Sequence, residues 1–270
     1  MSATFLESAA ESACFDESDE DPDLDLPTEK AEAWERYGTP GRFVFTCEHA
    51  SHRVPAPLAT TEADRGWLRT HWGYDIGART LTRELVRRMG GTAVLGRFTR
   101  LVVDANREPE HRDLVRTEID GHRLSFNDHL AEVEVFRRVR DYHQPFHAEI
   151  DRVLRASQAQ GAEVVLISVH SFTPVWSQHL RLMDAGVLFD DHEDDALRLH
   201  QALLDEGLDS ALNAPYSGRD GLIYSASRHG RACGVRHIEL EVNQSLIRTP
   251  AHARRLGPTL ARALLATYPG

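Results

Sequence analysis

Apolar residues along this chain gather in short runs that stop abruptly on polar groups. Phe43-Val44-Phe45 leads through Thr46-Cys47 into Glu48-His49, and the run from Val164 to Val169 ends on His170-Ser171. Runs of this length, rich in β-branched and aromatic residues, predict buried strands. Strands are expected at 42–47, 92–96, 100–104, 163–169 and 235–242. Between them the apolar spacing changes to that of helices, expected at 75–89, 127–159 and 192–206. The first of these brings Ile76, Leu81, Leu85 and Val86 near one face and stops at Gly90-Gly91. Asn127 or Asp128 is read as the cap of the second, with Pro145 kinking or breaking it near Tyr142-His143. Alternating strands and helices predict an α/β fold, a mixed sheet flanked by helices.

Charge divides the chain in two. Residues 1 to 35 carry twelve acidic side chains against the single Lys30, so the whole net charge of −11 resides there and the remainder is formally neutral. A segment this acidic and this poor in large apolar residues is expected to be a flexible leader. The turn-rich Gly38-Thr39-Pro40-Gly41 marks a boundary, giving a leader at 1–41 and one domain at 42–270. No basic excess provides a footprint for nucleic acid, and no apolar run approaches the ~20 residues of a membrane span. Cys14, Cys47 and Cys233 lack any paired spacing. A soluble cytoplasmic protein with a small-molecule substrate is the expectation.

The chemistry sits where the strands stop. A strand ending on an imidazole delivers it to the edge of a sheet, where parallel-sheet proteins keep their ligands. His49 and His170 are both placed this way and are followed by small residues, a pattern that suits metal ligands, zinc in particular. The third ligand is open between Glu48 and Asp75. Adjacent strand residues tend to face opposite sides, which weighs against Glu48, while Asp75 has a competing role as a helix cap. Alternation in His237-Ile238-Glu239-Leu240-Glu241-Val242 puts Glu239 and Glu241 on one face, and Glu241, nearer the strand end, is the candidate general base. Arg107 can bind a carboxylate through two parallel hydrogen bonds, with Asn106 adding an amide donor.

Seven segments occur in the order seen in the N-formylglutamate amidohydrolase family. They are Cys47-Glu48-His49-Ala50-Ser51, His71-Trp72-Gly73-Tyr74-Asp75-Ile76-Gly77-Ala78, Val103-Asp104-Ala105-Asn106-Arg107, Pro145-Phe146-His147, Val169-His170-Ser171-Phe172-Thr173-Pro174, Pro215-Tyr216-Ser217-Gly218 and Glu239-Leu240-Glu241-Val242-Asn243-Gln244. The chain resembles that family from about residue 42 to 250. The resemblance implies a fold similar to the zinc carboxypeptidases, with helices on both faces of a mostly parallel sheet. It also implies hydrolysis of the amide of an N-formyl or other N-acyl amino acid, N-formyl-L-glutamate in the better-studied members. Carried over, His49 and His170 are expected ligands of one zinc ion, with Asp75 the favoured third ligand and Glu48 still its rival, and Glu241 and Arg107 are the expected catalytic pair. Asn106, Arg107, His147, Ser171 and His229 are assigned to the substrate. Relatives commonly carry Arg and Asp where this chain has Asn243 and Ser245, and a binding protein that has lost catalysis is the competing reading. No GxSxG elbow supports a serine hydrolase.

Overall fold

The computed structural model describes residues 33–161 and 163–269. In chain order the elements are β1 (Trp34–Gly38), β2 (Phe43–Cys47), α1 (Glu62–Leu68), α2 (Ala78–Met89), β3 (Thr92–Gly96), β4 (Glu118–Ile119), β5 (His122–Arg123), α3 (Glu132–Arg138), α4 (Gln144–Gln158) and β6 (Val165–Phe172). They continue with β7 (Val175–Trp176), β8 (His179–Leu180), β9 (Ala185–Leu188), α5 (Glu193–Asp205), β10 (Ser210–Leu212), α6 (Tyr224–Cys233), β11 (Arg236–Asn243), α7 (Gln244–Ile247) and α8 (Pro250–Thr267). One seven-stranded sheet in the order β1-β3-β2-β6-β11-β9-β10 forms the centre. Strands β3, β2, β6 and β11 run parallel, β1 pairs antiparallel with β3, and β9 pairs antiparallel with β11 but parallel with β10. This is the mixed, mostly parallel α/β sheet expected.

Alternation along the central strands decides what each face holds. Phe43, Phe45, Cys47, Val165, Ile167, Val169, Ile238, Leu240 and Val242 join one core with α2, α5 and α8. Val44 and Leu166 join another with α4. The intervening residues toward the strand ends on that second face are Ser168, His170, Glu239 and Glu241, set side by side because β6 and β11 pair Ser168 with Glu239 and His170 with Glu241. Both faces are covered, so burying one fully enclosed Ile or Leu contributes about 1.5–3 kcal/mol. A one-residue slip of β11 or β6 would exchange Leu240 for a glutamate and could put His170 in place of Val169. That penalty fixes the register, and the register presents the polar set at the carboxyl ends of β2, β6 and β11. Strands β3 and β6 flank β2 on opposite sides, so a crevice opens at this point of the sheet.

Three expectations need correction. Residues 100–104 are not a strand: Val102 N–H bonds Thr99 O and Asp104 N–H bonds Leu114 O, a buried turn rather than a ladder. Leu101, Val102 and Val103 are apolar because that turn lies inside the second core. The helix expected at 127–159 starts at Glu132 and passes through a π-helical turn at Val139–His143 into α4, where Pro145 sits in the first turn. The wider turn absorbs the proline without breaking the helix. Asn127 caps nothing: its amide donates to Leu101 O and Arg116 O, and Asp128 likewise lies outside the helix. Finally, β1 occupies Trp34–Gly38 on the edge of the sheet, inside the segment assigned to the leader. The acidic residues 1–32 lie outside the described residues.

Candidate active site

His49 follows β2 directly, and Asp75 lies in the loop before α2, its backbone N–H bonded to His49 O at 3.0 Å. That bond ties the two loops together. Asp75 is not the helix cap, a position taken by Gly77 in the left-handed region with φ 81°. A side chain on Gly77 would meet Ile247 O at 1.9 Å, so the close packing of α7 against the start of α2 depends on glycine. Asp75 Oδ2 instead accepts from His170 Nδ1 at 2.7 Å and from Ser171 N–H at 3.2 Å. His49 Nδ1 lies 3.6 Å from the same oxygen. One donor atom from each of His49, Asp75 and His170 fits within 4.8 Å of the others.

The far nitrogens of both rings are also held. His49 Nε2–H donates to Asp104 Oδ1 at 2.6 Å, and His170 Nε2 faces Glu48 Oε2 at 3.0 Å. Ser168 Oγ donates to the same Glu48 oxygen at 2.8 Å. Each imidazole therefore turns Nε2 to a supporting carboxylate and Nδ1 to Asp75. His49 Nδ1 is buried without a hydrogen-bond partner. This arrangement orients imidazoles toward a cation. Glu48 faces the opposite nitrogen of His170 from the cluster, so the three converging donors include Asp75 and not Glu48.

Electrostatics favours a cation here. Glu48, Asp75, Asp104, Glu239 and Glu241 are all at most 5% exposed; Arg100 and Arg107 bring guanidinium groups to Asp75 and Asp104, and Arg181 adds positive charge toward Glu241. Burial opposes charge on His170, but Glu239, Asp75 and Glu48 outweigh it and hold its pKa well above the ordinary value. Burial also works against ionised Asp75 and Asp104, yet the neighbouring imidazoles and, for Asp104, Arg100 keep both below the usual carboxylate range. Glu239 and Glu241 behave differently. Burial is the main cause that pushes Glu239 up to about 8 and Glu241 up to about 7. A second set, His170 with Glu239 and Glu241, also satisfies the spacing of a metal site. It is the poorer cradle, because Glu239 Oε2 already accepts from Asn106 at 3.1 Å and His170 offers the only imidazole.

A cavity of about 250 Å³ opens on this cluster. Its lining includes His49, Asp75, Asn106, Arg107, His170, Ser171 and Glu241, so seven expected site residues share one space. Glu241 Oε2 is buried with no partner, whereas Glu239 is tethered. Arg107 is partly exposed and 3.6 Å from Asp104. Asn106 has little left for a ligand: its amide donates to Glu239 and Leu222 O, and its carbonyl accepts from Ser225 N–H. It positions Glu239 instead. Ser171 Oγ donates to Ile76 O and accepts from Gln244.

The family model for N-formylglutamate amidohydrolase matches residues 41–248. The chain belongs to that family. It is accordingly an amidohydrolase. No curated protein sequence matches the chain. Among solved structures, a gene product of Agrobacterium tumefaciens is 28% identical with a TM-score of 0.78, covering 88% of this chain and 95% of its own. An N-formylglutamate amidohydrolase from Ralstonia eutropha JMP134 shares the fold at 19% identity and a TM-score of 0.70, covering 88% of this chain and 98% of its own. A metallo-carboxypeptidase from Burkholderia cenocepacia overlaps more loosely, at 15% identity and a TM-score of 0.39, covering 87% of this chain and 60% of its own.

Two family positions are placed away from the cavity. His147 on α4 and His229 on α6 do not line it, contrary to their assignment to the substrate. They bond each other at 2.7 Å, and His229 Nδ1 donates to Asp151 at 2.6 Å, forming a buried chain between the helices. Asn243 and Ser245 also lie outside the lining. Asn243 donates to Arg181 O and Met183 O and accepts from Ser245, so the two residues serve a loop and the start of α7. Sequence reasoning missed Arg100, Gln244 and the aromatic mouth of His71, Trp72 and Trp176. His71-Trp72 stood in a quoted family segment, but nothing in its spacing marked it as a wall.

Proposed function

We propose that this amidohydrolase is metal dependent and cleaves the amide of an N-formyl or other N-acyl amino acid of the N-formylglutamate type. The observation that carries the reading is the convergence of His49 Nδ1 and His170 Nδ1 on Asp75, with both far nitrogens held by Asp104 and Glu48. His49, Asp75 and His170 would hold one divalent ion, with zinc the best match to two imidazoles and a carboxylate. Such an ion supplies Lewis acidity toward the scissile carbonyl and toward water beside it.

The remaining work falls to this chain's own side chains. Glu241 sits beside His170 in the strand register, and its unpartnered Oε2 is free to take a proton from the attacking water. The same oxygen can then return that proton to the leaving amine. Arg107 projects donors into the cavity for the amino-acid carboxylate, which orients the amide before attack. Arg100, bonded to Asp104 at 2.7 Å, holds the support of His49 in place.

The test is hydrolysis of N-formyl-L-glutamate, followed by formate release, on protein stripped with a chelator and then given stoichiometric zinc. Activity that disappears on stripping and returns with zinc is expected. Full turnover by metal-free protein would reject metal dependence, and failure on every N-formyl and N-acetyl amino acid would reject the substrate class.

A further inference from the structure

The cavity lining holds three guanidinium groups, and two are engaged. Arg100 donates twice to Asp104, at 3.2 and 2.7 Å, and lies 3.9 Å from Asp75. Arg107 is 3.6 Å from Asp104 and 3.3 Å from His111 Nε2. Arg116 differs. Its guanidinium carbon lies 5.1 Å from the centre of the Trp72 ring, and among the described residues it has no ion pair. Asp113, the nearest acidic residue in the chain that also lines the cavity, pairs with Arg112 at 3.5 Å.

A guanidinium backed by an indole leaves its edge donors free, in the plane that matches a carboxylate. The platform is also braced. Trp72 packs against Trp176 with ring centres 5.5 Å apart. Arg116 O accepts from Asn127 Nδ2 at 2.6 Å, and Asn127 Oδ1 accepts from Arg138 at 2.5 Å. Arg138 is fully buried and donates further to Val102 O and Phe126 O. An anchor this deep beneath a partly exposed loop restricts where Arg116 can stand, so less ordering remains to be done when an anion arrives.

We propose that Arg116, laid over Trp72, is the specificity-determining residue that reads a second carboxylate on the substrate. The inference rests on the amidohydrolase reading above and deepens it: Arg107 takes the α-carboxylate, and Arg116 takes the one at the end of the side chain. The preferred substrates are then N-acyl derivatives of dicarboxylic amino acids, and their uncharged amides are poor.

The test compares kcat/KM for N-formyl-L-glutamate and N-formyl-L-glutamine, which differ in one charge at nearly constant shape, on zinc-loaded protein. Wild type is expected to favour the diacid by about 50-fold, the scale of a charge-assisted pair. Arg116→Gln is expected to reduce that ratio to about threefold or less, and Arg116→Lys to restore part of it. A ratio unchanged in Arg116→Gln, or no preference in wild type, overturns the proposal and leaves the amidohydrolase reading intact. If wild type turns over neither compound, the substrate reading fails, and Arg116 is judged by calorimetry with glutarate and its monoamide. Tighter glutarate binding that is lost in Arg116→Gln supports the assignment. Equal binding of the two overturns it.

Discussion

Two buried histidine clusters stand on the same side of the sheet, and they have opposite chemistry. In the first, His49 and His170 are surrounded by Glu48, Asp75, Asp104 and Glu239, and His170 is driven toward its charged form. In the second, His143, His147 and His229 lie close together, with ring centres 4.3 and 5.0 Å apart, and the one carboxylate bonded to the chain is Asp151 at its edge. Burial is the main cause that lowers His143, and it lowers His147 well below the ordinary value with help from its neighbouring imidazoles. Imidazole count therefore says little about cation binding. The supply of carboxylates separates a cradle for a cation from a device that packs two helices together.

The contrast is broken most severely by His170→Ala. Metal stoichiometry should fall to zero with activity at background, as read by elemental analysis and formate release. Glu241→Gln should keep the metal while lowering kcat about 10²- to 10⁴-fold, the range of general-base removal. Loss of metal in this variant would make Glu241 a ligand and not a base. Asp104→Asn removes charge from the support of His49 without touching the cluster centre, and is expected to weaken zinc affinity about 10- to 100-fold in a competition titration. His147→Gln should leave kcat/KM within about threefold, placing the second cluster outside the chemistry.

That last variant sharpens the comparison through pH. A histidine kept neutral by burial binds fewer protons folded than unfolded. Its contribution to stability is complete above the unfolded pKa of about 6.5 and is lost progressively as the pH falls below it. Thermal melts at pH 7.5 and 5.5 should accordingly show a smaller drop for His147→Gln than for wild type. Parallel profiles would mean that His147 is hydrated and titrates freely.

The central strands were legible because they are buried on both faces, and their ends revealed His49, His170 and Glu241. The pairing of Glu239 with Glu241 on one face also followed from alternation. Edge strand β1, WERYG, was hidden because a partly exposed strand needs few apolar residues. Leu101-Val102-Val103 misled for the opposite reason, since a turn driven into the core has a strand's composition without a strand's hydrogen bonds. Arg100 and Arg116 carry no local signal at all. Their roles arise from loops brought together by pairings distant in sequence, as does the separation of His147 from the cavity it was expected to line. Asn106 lines the cavity, but its amide is committed to Glu239, a fact of tertiary contact that no spacing encodes.

The backbone bond from Asp75 to His49 joins residues near one another in the sequence, but β6 brings His170 and β11 brings Glu241 from far downstream. Contacts of such long sequence separation form slowly and late, after most of the loop entropy has been lost. The proposed ion therefore has no complete seat on a nascent chain that has not yet yielded β6, and no base until β11 has docked. Metal uptake would thus serve as a timer for the end of folding: an ion offered during synthesis would be captured only by a chain that has assembled the centre of its sheet.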